Sequence, residues 1–165
     1  MKILANDGLS QSGINVLTEA SFEVITTNIA QEQLIPYIND HKITVLLVRS
    51  ATTARKELID SCPSLKIIGR GGVGMDNIDV EYAREKGLSV INTPAASSSS
   101  VAELVFAHLF GGVRFLFDSN RNMPLEGESN FKGLKKAYAK GIELRGKTIG
   151  IIGFGRIGQE VAKIA

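Results

Sequence analysis

The chain of 165 residues is 44% hydrophobic, 22% charged and 6% aromatic, a composition typical of a globular protein rather than of a disordered or fibrous one. Its formal net charge of +2, without a dense basic run, does not favour nucleic-acid binding, and its single cysteine, Cys62, excludes an internal disulfide. No apolar stretch has the length of a transmembrane helix or the pattern of a signal peptide. We therefore expect a cytoplasmic protein that does not contact a membrane and binds small molecules.

The first 92 residues alternate short β-rich runs with helix-like segments. The sequence predicts strands at 3–5, 22–26, 44–49, 65–68 and 88–91, and helices at 12–20, 32–39, 55–61 and 80–86. The run TVLLVR at 44–49 is apolar over most of its length, which is typical of a strand buried on both faces. This alternation predicts an α/β domain over residues 1–96 with a parallel sheet, and a flavodoxin-like strand order is the expected arrangement.

Residues 97–145 have a different pattern, which predicts a long helix followed by an arm. Ser100-Val101-Ala102-Glu103 matches a capping box, and the helix after it is apolar nearly all round, so we expect it to be buried between two domains. Gly111 and Gly112 predict a weak point or hinge in this helix. Residues 118–144 are polar and longer than most loops, and we expect them to lie against another surface. The lysines of this stretch are Lys132, Lys135, Lys136 and Lys140.

The pattern G-x-G-x-x-G occurs twice, and its second copy is in the context that dinucleotide binding requires. It follows a predicted strand at 147–152 and continues into a predicted helix at 157–165. Gly153 would make the tight turn, Gly155 would let a pyrophosphate approach the backbone, and Gly158 would pack the helix on the strand. Residues 146–165 are therefore expected to begin a Rossmann domain. The ribose-binding carboxylate belongs about 20 residues beyond the fingerprint, so we expect the chain to be a fragment.

The first copy, at 69–74, is less suited to a dinucleotide. Its helix begins only near Asp79, and no acidic residue ends the next predicted strand. The exposed backbone N–H groups of the loop, together with Arg70, suit a small anion such as a carboxylate, although a purely structural turn remains open. Arg49 is a second candidate for anion contact because ligands of open α/β sheets bind at the carboxyl ends of strands, although it could instead form a structural ion pair.

Three linked motifs resemble those of the D-isomer-specific 2-hydroxyacid dehydrogenases. They are Ile68 to Asp79 (IGRGGVGMDNID), Asn92-Thr-Pro94 followed by SVAELV at 100–105, and ELRGKTIGIIGFGRIG at 143–158. The VRSAT run at 48–52 looks like the strand end of the subgroup that oxidises 3-phosphoglycerate. The resemblance extends over the whole chain. It departs at Ser97, where relatives carry asparagine.

The resemblance implies an NAD-dependent oxidoreductase that converts 3-phosphoglycerate to 3-phosphohydroxypyruvate in serine biosynthesis. Alternatives are a glyoxylate or hydroxypyruvate reductase, and a non-catalytic NAD(H)-sensing protein of the same fold. The catalytic Arg, Glu and His would lie beyond Ala165, so the chain alone is expected to be inactive. No metal is implied, and a homodimer is expected in which 118–144 reaches the partner's nucleotide-binding domain. The expected cofactor contacts are Val73, Gly153, Gly155, Arg156, Ile157 and Gly158. The expected substrate contacts are Arg49, Arg70, Gly71 and Gly72.

Overall fold

Five parallel strands form a sheet in the first part of the computed structural model, which describes residues 1–165. The strands are β1 (Lys2–Ala5), β2 (Glu23–Ile25), β3 (Val45–Val48), β4 (Ile67–Arg70) and β5 (Ser89–Asn92). Their order is β2-β1-β3-β4-β5, with Leu4 beside Leu46 and Leu46 beside Ile68. This order confirms the predicted flavodoxin-like α/β fold, and it brings the carboxyl ends of β1, β3, β4 and β5 to one edge of the sheet.

Four helices connect these strands: α1 (Gln11–Glu19), α2 (Gln31–His41), α3 (Lys56–Ser61) and α4 (Val80–Glu85). The core they form with the sheet consists of aliphatic side chains withdrawn from water, whose burial is the main favourable term in folding. Its largest fully buried members are Leu4, Leu34, Ile38, Ile43, Leu46, Val48, Cys62 and Ile68. Together these elements make one compact unit, Met1–Ala96.

The second compact unit, Ser97–Ala165, begins with helix α5 (Ser98–Val113). The predicted capping box is wrong, because the helix is already under way at Ser100 and its N-cap, Ser97, makes no side-chain hydrogen bond. Gly111 and Gly112 are also helical, and the chain breaks after them, at Phe115, where φ is 56°. The glycine at 111 allows close packing, since a Cβ there would lie 2.8 Å from the Phe117 ring.

Helix α5 is less buried than its composition predicts. Within this chain it buries Ser98, Ala102 and Gly111, while Leu104 and Phe110 remain more than half exposed. The two other helices of the unit, α6 (Leu116–Tyr138) and α7 (Arg156–Ile164), pack against α5 but do not cover all of its apolar faces. No single helix of the chain is long and apolar enough to cross a membrane, although α5 and the helix after it, bent by 52°, reach that length and composition as a pair.

Two predictions for the rest of this unit are wrong. Residues 118–144 do not form a loop, because helix α6 (Leu116–Tyr138) occupies most of them, with a kink at Asn130. Leucine, glutamate and lysine favour helix even where an apolar period is weak. Residues 147–152 do not form a strand, because the unit offers no second strand to accept their backbone hydrogen bonds. Helix α7 (Arg156–Ile164) follows, as the sequence predicts within one residue.

Candidate functional site

A cleft of about 730 Å³ lies at the carboxyl edge of the sheet, within the first unit. Its floor is apolar, with Leu47, Gly69 and Ile91 among its lining residues, and its rim is polar and carries two arginines. Open parallel sheets bind their ligands at this edge. The residues that line it are Asp7 to Ser10, Leu47 to Arg49, Gly69 to Gly71 and Ile91 to Thr93.

Arg49 is the cation of this rim that is available to a ligand. It follows directly after β3, its side chain is exposed, and its guanidinium forms neither an ion pair nor a hydrogen bond within the chain. Its Cγ lies over Gly71, where a Cβ would be 3.5 Å away. A free guanidinium beside a cleft suits a phosphate or a carboxylate, both of which accept its paired N–H groups.

The backbone of Arg49, in contrast, is held by side chains on both sides of its peptide. Its N–H donates to Asp7 Oδ2 at 2.6 Å, and its carbonyl accepts from Asn77 Nδ2 at 2.9 Å and from Arg70 Nε at 3.2 Å. Asp7 follows β1, Arg70 ends β4 and Asn77 lies in the loop after β4, so two segments of the same sheet edge hold this backbone. The exposed cation is therefore carried on a fixed backbone.

Asp7 is charged in this arrangement. Burial by itself would raise the pKa of Asp7, but hydrogen bonds from the Thr52 hydroxyl and from the N–H groups of Arg49 and Thr52 outweigh it, and they hold the pKa below its usual value. The Thr52 hydroxyl lies 2.5 Å from Asp7 Oδ1. Asn6 continues this network by donating to the same hydroxyl at 2.8 Å.

The structure directs Arg70 into the glycine loop rather than into open solvent. Its Nε donates to the carbonyl of Arg49 and its Nη1 donates to the carbonyl of Gly74, while Asp76 lies 3.5 Å from Nη1. A Cβ on Gly72 or Gly74 would contact this guanidinium. The loop is thus folded round Arg70, which leaves fewer of its donors for a ligand than the sequence suggests.

The N–H groups of the loop are also partly committed. Gly71 donates to the carbonyl of Val48 at 2.9 Å, and Gly72 donates to that of Arg70 at 2.9 Å. The N–H groups of Val73 and Gly74 make no hydrogen bond within the chain, so these two are the donors that a bound anion would meet. Gly71 and Gly72, the expected carboxylate contacts, therefore have no free N–H group to offer.

The second glycine loop combines a left-handed glycine with the start of a helix. Gly153 has a φ of 93°, a left-handed conformation that favours glycine, and α7 begins immediately after Gly155. No atom of the chain lies within 4 Å of a Cβ placed on Gly155, whereas a Cβ on Gly158 would collide with the carbonyl oxygen of Gly153. Arg156 and Ile157 form the exposed first turn of the helix, whose free N–H groups favour an anion.

Asp79, His108 and Cys62 show no arrangement that indicates a catalytic role. Asp79 accepts from Arg55 Nη1 and from the N–H of Lys56, each at 3.0 Å, and its hydrogen bond from Arg55 lowers its pKa. His108 is exposed, with its ring 6.2 Å from that of Phe117. Burial raises the pKa of the Cys62 thiol to about 11, so the reactive thiolate is not formed at neutral pH. No group of three or more His, Cys, Asp or Glu side chains is arranged to hold a metal ion.

Sequence reasoning missed the contacts of Asp7 and Asn77 with the Arg49 peptide. Asn77 lies in a recognised motif and Asp7 follows a strand, but neither position indicates a partner 28 or 42 residues away. The signal that was available is the shared sheet edge, which places the residues after β1, β3 and β4 side by side.

Comparison with known proteins decides the family. A family model described as D-isomer specific 2-hydroxyacid dehydrogenase, catalytic domain, matches residues 3–154. The chain belongs to this family. Among curated 2-hydroxyacid dehydrogenase relatives, it is 44% identical over 166 residues to the D-3-phosphoglycerate dehydrogenase of Methanocaldococcus jannaschii, covering 100% of this chain and 30% of that protein. It is 41% identical over 165 residues to the hydroxypyruvate reductase of Thermotoga maritima, covering 99% of this chain and 51% of that protein.

Solved structures share this fold. An acyclic imino acid reductase in complex with NADPH and D-Arg is 34% identical, with a TM-score of 0.77, over 99% of this chain and 52% of that one. An NAD-dependent formate dehydrogenase from Staphylococcus aureus in complex with NAD is 30% identical, with a TM-score of 0.72, over 99% and 53%. The chain spans about a third to about half the length of the relatives it matches.

Proposed function

We propose that this dehydrogenase oxidises 3-phosphoglycerate to 3-phosphohydroxypyruvate with NAD. The observation that carries the proposal is the free guanidinium of Arg49, whose backbone is held at the edge of the cleft that the glycine loop also borders. A substrate with a carboxylate and a phosphate needs two anion sites, and this edge offers an Arg side chain together with the N–H groups of Val73 and Gly74. The 44% identity to a D-3-phosphoglycerate dehydrogenase supports the same substrate.

In this proposal each part of the chain has a distinct task. The N–H groups of Val73 and Gly74 hold the substrate carboxylate, and Arg49 holds the phosphate. The turn from Gly153 to Gly158 holds the cofactor pyrophosphate at the start of α7, with Arg156 and Ile157 as further contacts to the cofactor. The nicotinamide, when bound, takes the hydride from the carbon that bears the hydroxyl. The chain described here binds and orients, and the base for the hydroxyl proton is expected from the family's histidine and glutamate.

The test compares two substrates in the full-length protein. NADH oxidation is followed with 3-phosphohydroxypyruvate and with hydroxypyruvate, which differ only in the phosphate. Losing one charge-assisted contact costs about 1.5–3 kcal/mol, so Arg49→Ala should lower kcat/KM on the phosphorylated substrate roughly ten- to hundred-fold and leave the other nearly unchanged. Arg84→Ala, at an exposed position on α4, is the matched control. Equal losses on both substrates would contradict a phosphate contact at Arg49.

A second candidate is a hydroxypyruvate or glyoxylate reductase, which the 41% identity to a hydroxypyruvate reductase favours. The same assay distinguishes it, because such an enzyme would prefer hydroxypyruvate before any substitution is made. The choice between NAD and NADP is resolved by comparing NADH with NADPH, since the similar structures carry one or the other. Binding of NADH without turnover of either substrate would favour the nucleotide-sensing alternative.

A further inference from the structure

The peptide of Arg49 receives more side-chain hydrogen bonds than the end of a strand requires. Asp7 accepts from its N–H, and both Arg70 and Asn77 donate to its carbonyl. Asn77 is buried and also donates to the carbonyl of Thr52 at 2.7 Å, so a single amide joins both ends of the turn that follows β3. Hydrogen bonds that involve charged groups are stronger than neutral ones, so this turn is held firmly.

Arg70 connects this turn to the glycine loop. Its Nε donates to the carbonyl of Arg49 and its Nη1 donates to the carbonyl of Gly74, so the Arg70 guanidinium joins the Arg49 backbone to the glycine loop. A Cβ on Gly74 would be 3.1 Å from Nη1, which shows how closely the loop follows the guanidinium. The planar fork of arginine makes two such contacts at fixed angles, whereas lysine carries a single nitrogen on a flexible stem.

We propose that Arg70, assisted by Asn77, is a positioning residue that holds the backbone carrying the Arg49 side chain in place relative to the free N–H groups of Val73 and Gly74, and so sets the selectivity for phosphorylated 2-hydroxy acids. In this proposal Arg70 acts through the Arg49 backbone and not by contacting the substrate. The inference rests on the proposed function for its substrate, and it assigns to Arg70 a different role from the direct substrate contact that the sequence suggests.

Arg70 affects selectivity because it controls the distance between the two anion sites, the Arg49 side chain and the N–H groups of Val73 and Gly74. A phosphorylated hydroxy acid is held at both ends, so its binding depends on how far the cation lies from the loop N–H groups. An unphosphorylated acid of the same chain length uses only the loop. Loosening the Arg49 peptide therefore weakens binding of the phosphorylated acid more than binding of the unphosphorylated acid, even though the charge of Arg49 is unchanged.

The experiment is a double-mutant cycle in the full-length protein. Its readout is the ratio of kcat/KM on 3-phosphohydroxypyruvate to kcat/KM on hydroxypyruvate, for the wild type, Arg49→Ala, Arg70→Lys and the double variant. Arg70→Lys keeps the charge and removes the fork, and we expect it to lower this ratio about tenfold through KM. In the Arg49→Ala background the same change should alter the ratio less than twofold, because the group it positions is absent.

Two results would overturn the proposal. If Arg70→Lys keeps the wild-type kcat/KM ratio, the guanidinium fork is not needed. If Arg70→Lys lowers the ratio equally in the wild-type and Arg49→Ala backgrounds, Arg70 contacts the phosphate directly. Asn77→Ser, which removes the shared amide donor, provides a second variant should Arg70→Lys unfold, and it should shift the ratio in the same direction by a smaller factor. Arg84→Lys is the matched control and should leave the ratio unchanged.

Amide hydrogen exchange makes the test independent of turnover. We expect the Arg49 N–H to exchange at least tenfold faster in Arg70→Lys than in the wild type, while the α4 control leaves it unchanged, because loosening the peptide also frees its bond to Asp7. Unchanged exchange at Arg49 would refute positioning. If the wild type reduces neither substrate, the proposed function fails, and the exchange measurement still decides whether Arg70 holds this peptide.

Discussion

Gly155 and Gly158 belong to one hexapeptide, yet a side chain would have opposite consequences at the two positions. At Gly155 φ is −77° and the space around a Cβ is empty, so the folded chain does not itself require glycine there. At Gly158 a Cβ would meet the carbonyl oxygen of Gly153, which is backbone and has no rotamer to change. The turn itself therefore requires glycine at 158, whereas at 155 we expect the requirement to come from a bound pyrophosphate.

This difference leads to a paired prediction about nucleotide binding. Gly155→Val in the full-length protein should abolish NADH binding by calorimetry while leaving the melting temperature nearly unchanged. Gly158→Ala should lower the melting temperature as well as the affinity, because the turn must shift to admit the methyl group. Unchanged NADH affinity in Gly155→Val would remove the main support for a pyrophosphate at this loop.

Three helices of the first unit end in the same way. The helices α1, α2 and α4 each end in the same pair of backbone hydrogen bonds, and each places one residue in the left-handed conformation, namely Ser21, Lys42 and Gly87. After α2, the N–H of Ile43 donates to the carbonyl of Ile38 at 3.0 Å, which turns Ile43 into the core. Glycine adopts this conformation without a steric penalty, whereas lysine, which has a Cβ, adopts it at an energetic cost.

Lys42 is therefore a site for stabilisation. Lys42→Gly should raise the free energy of unfolding by up to about 1 kcal/mol, because it relieves the left-handed strain at φ 52° while the bonds that end α2 remain. Urea unfolding of the full-length protein measures the change. Lys42→Ala is the matched control, since it removes the same side chain but keeps the Cβ, and it should give no gain. A gain of the same size in both variants would show that the lysine side chain, not the backbone, causes the effect.

These helix ends also show what sequence can predict. Gly87 marks the end of α4 in the sequence, whereas nothing about Lys42 indicates a left-handed residue. In the same way the buried run of β3 is evident from its composition, but residues 147–152, with a similar composition, form no strand, because a strand depends on a partner as well as on its own residues. The same holds for the candidate site. The position of Arg49 at a strand end is evident from the sequence, but its contacts with Asp7 and Asn77 depend on how separate loops pack.

At the scale of the whole molecule, the second unit exposes more apolar surface than a protein surface normally carries in one region. The large apolar side chains exposed on α5 and α6 are Leu104, Val105, Phe110, Leu116, Phe117, Met123, Leu125 and Phe131. Scattered single residues would need no explanation, but a series along two consecutive helices is typical of an interaction surface. Lysines follow it near the end of α6, which gives the surface a charged border typical of protein interfaces.

We expect this surface to form a homodimer, with residues 118–144 reaching the partner's nucleotide-binding unit. The full-length protein should sediment as a dimer at micromolar concentration. Leu125 is 79% exposed within the chain, so Leu125→Lys should not affect folding but should bury an unpaired charge at the interface and shift the protein to monomer. Val16→Lys, at a site 64% exposed on α1, is the matched control and should leave the dimer intact. A wild-type monomer under these conditions would contradict the assembly, and a dimer that survives Leu125→Lys would place the interface elsewhere.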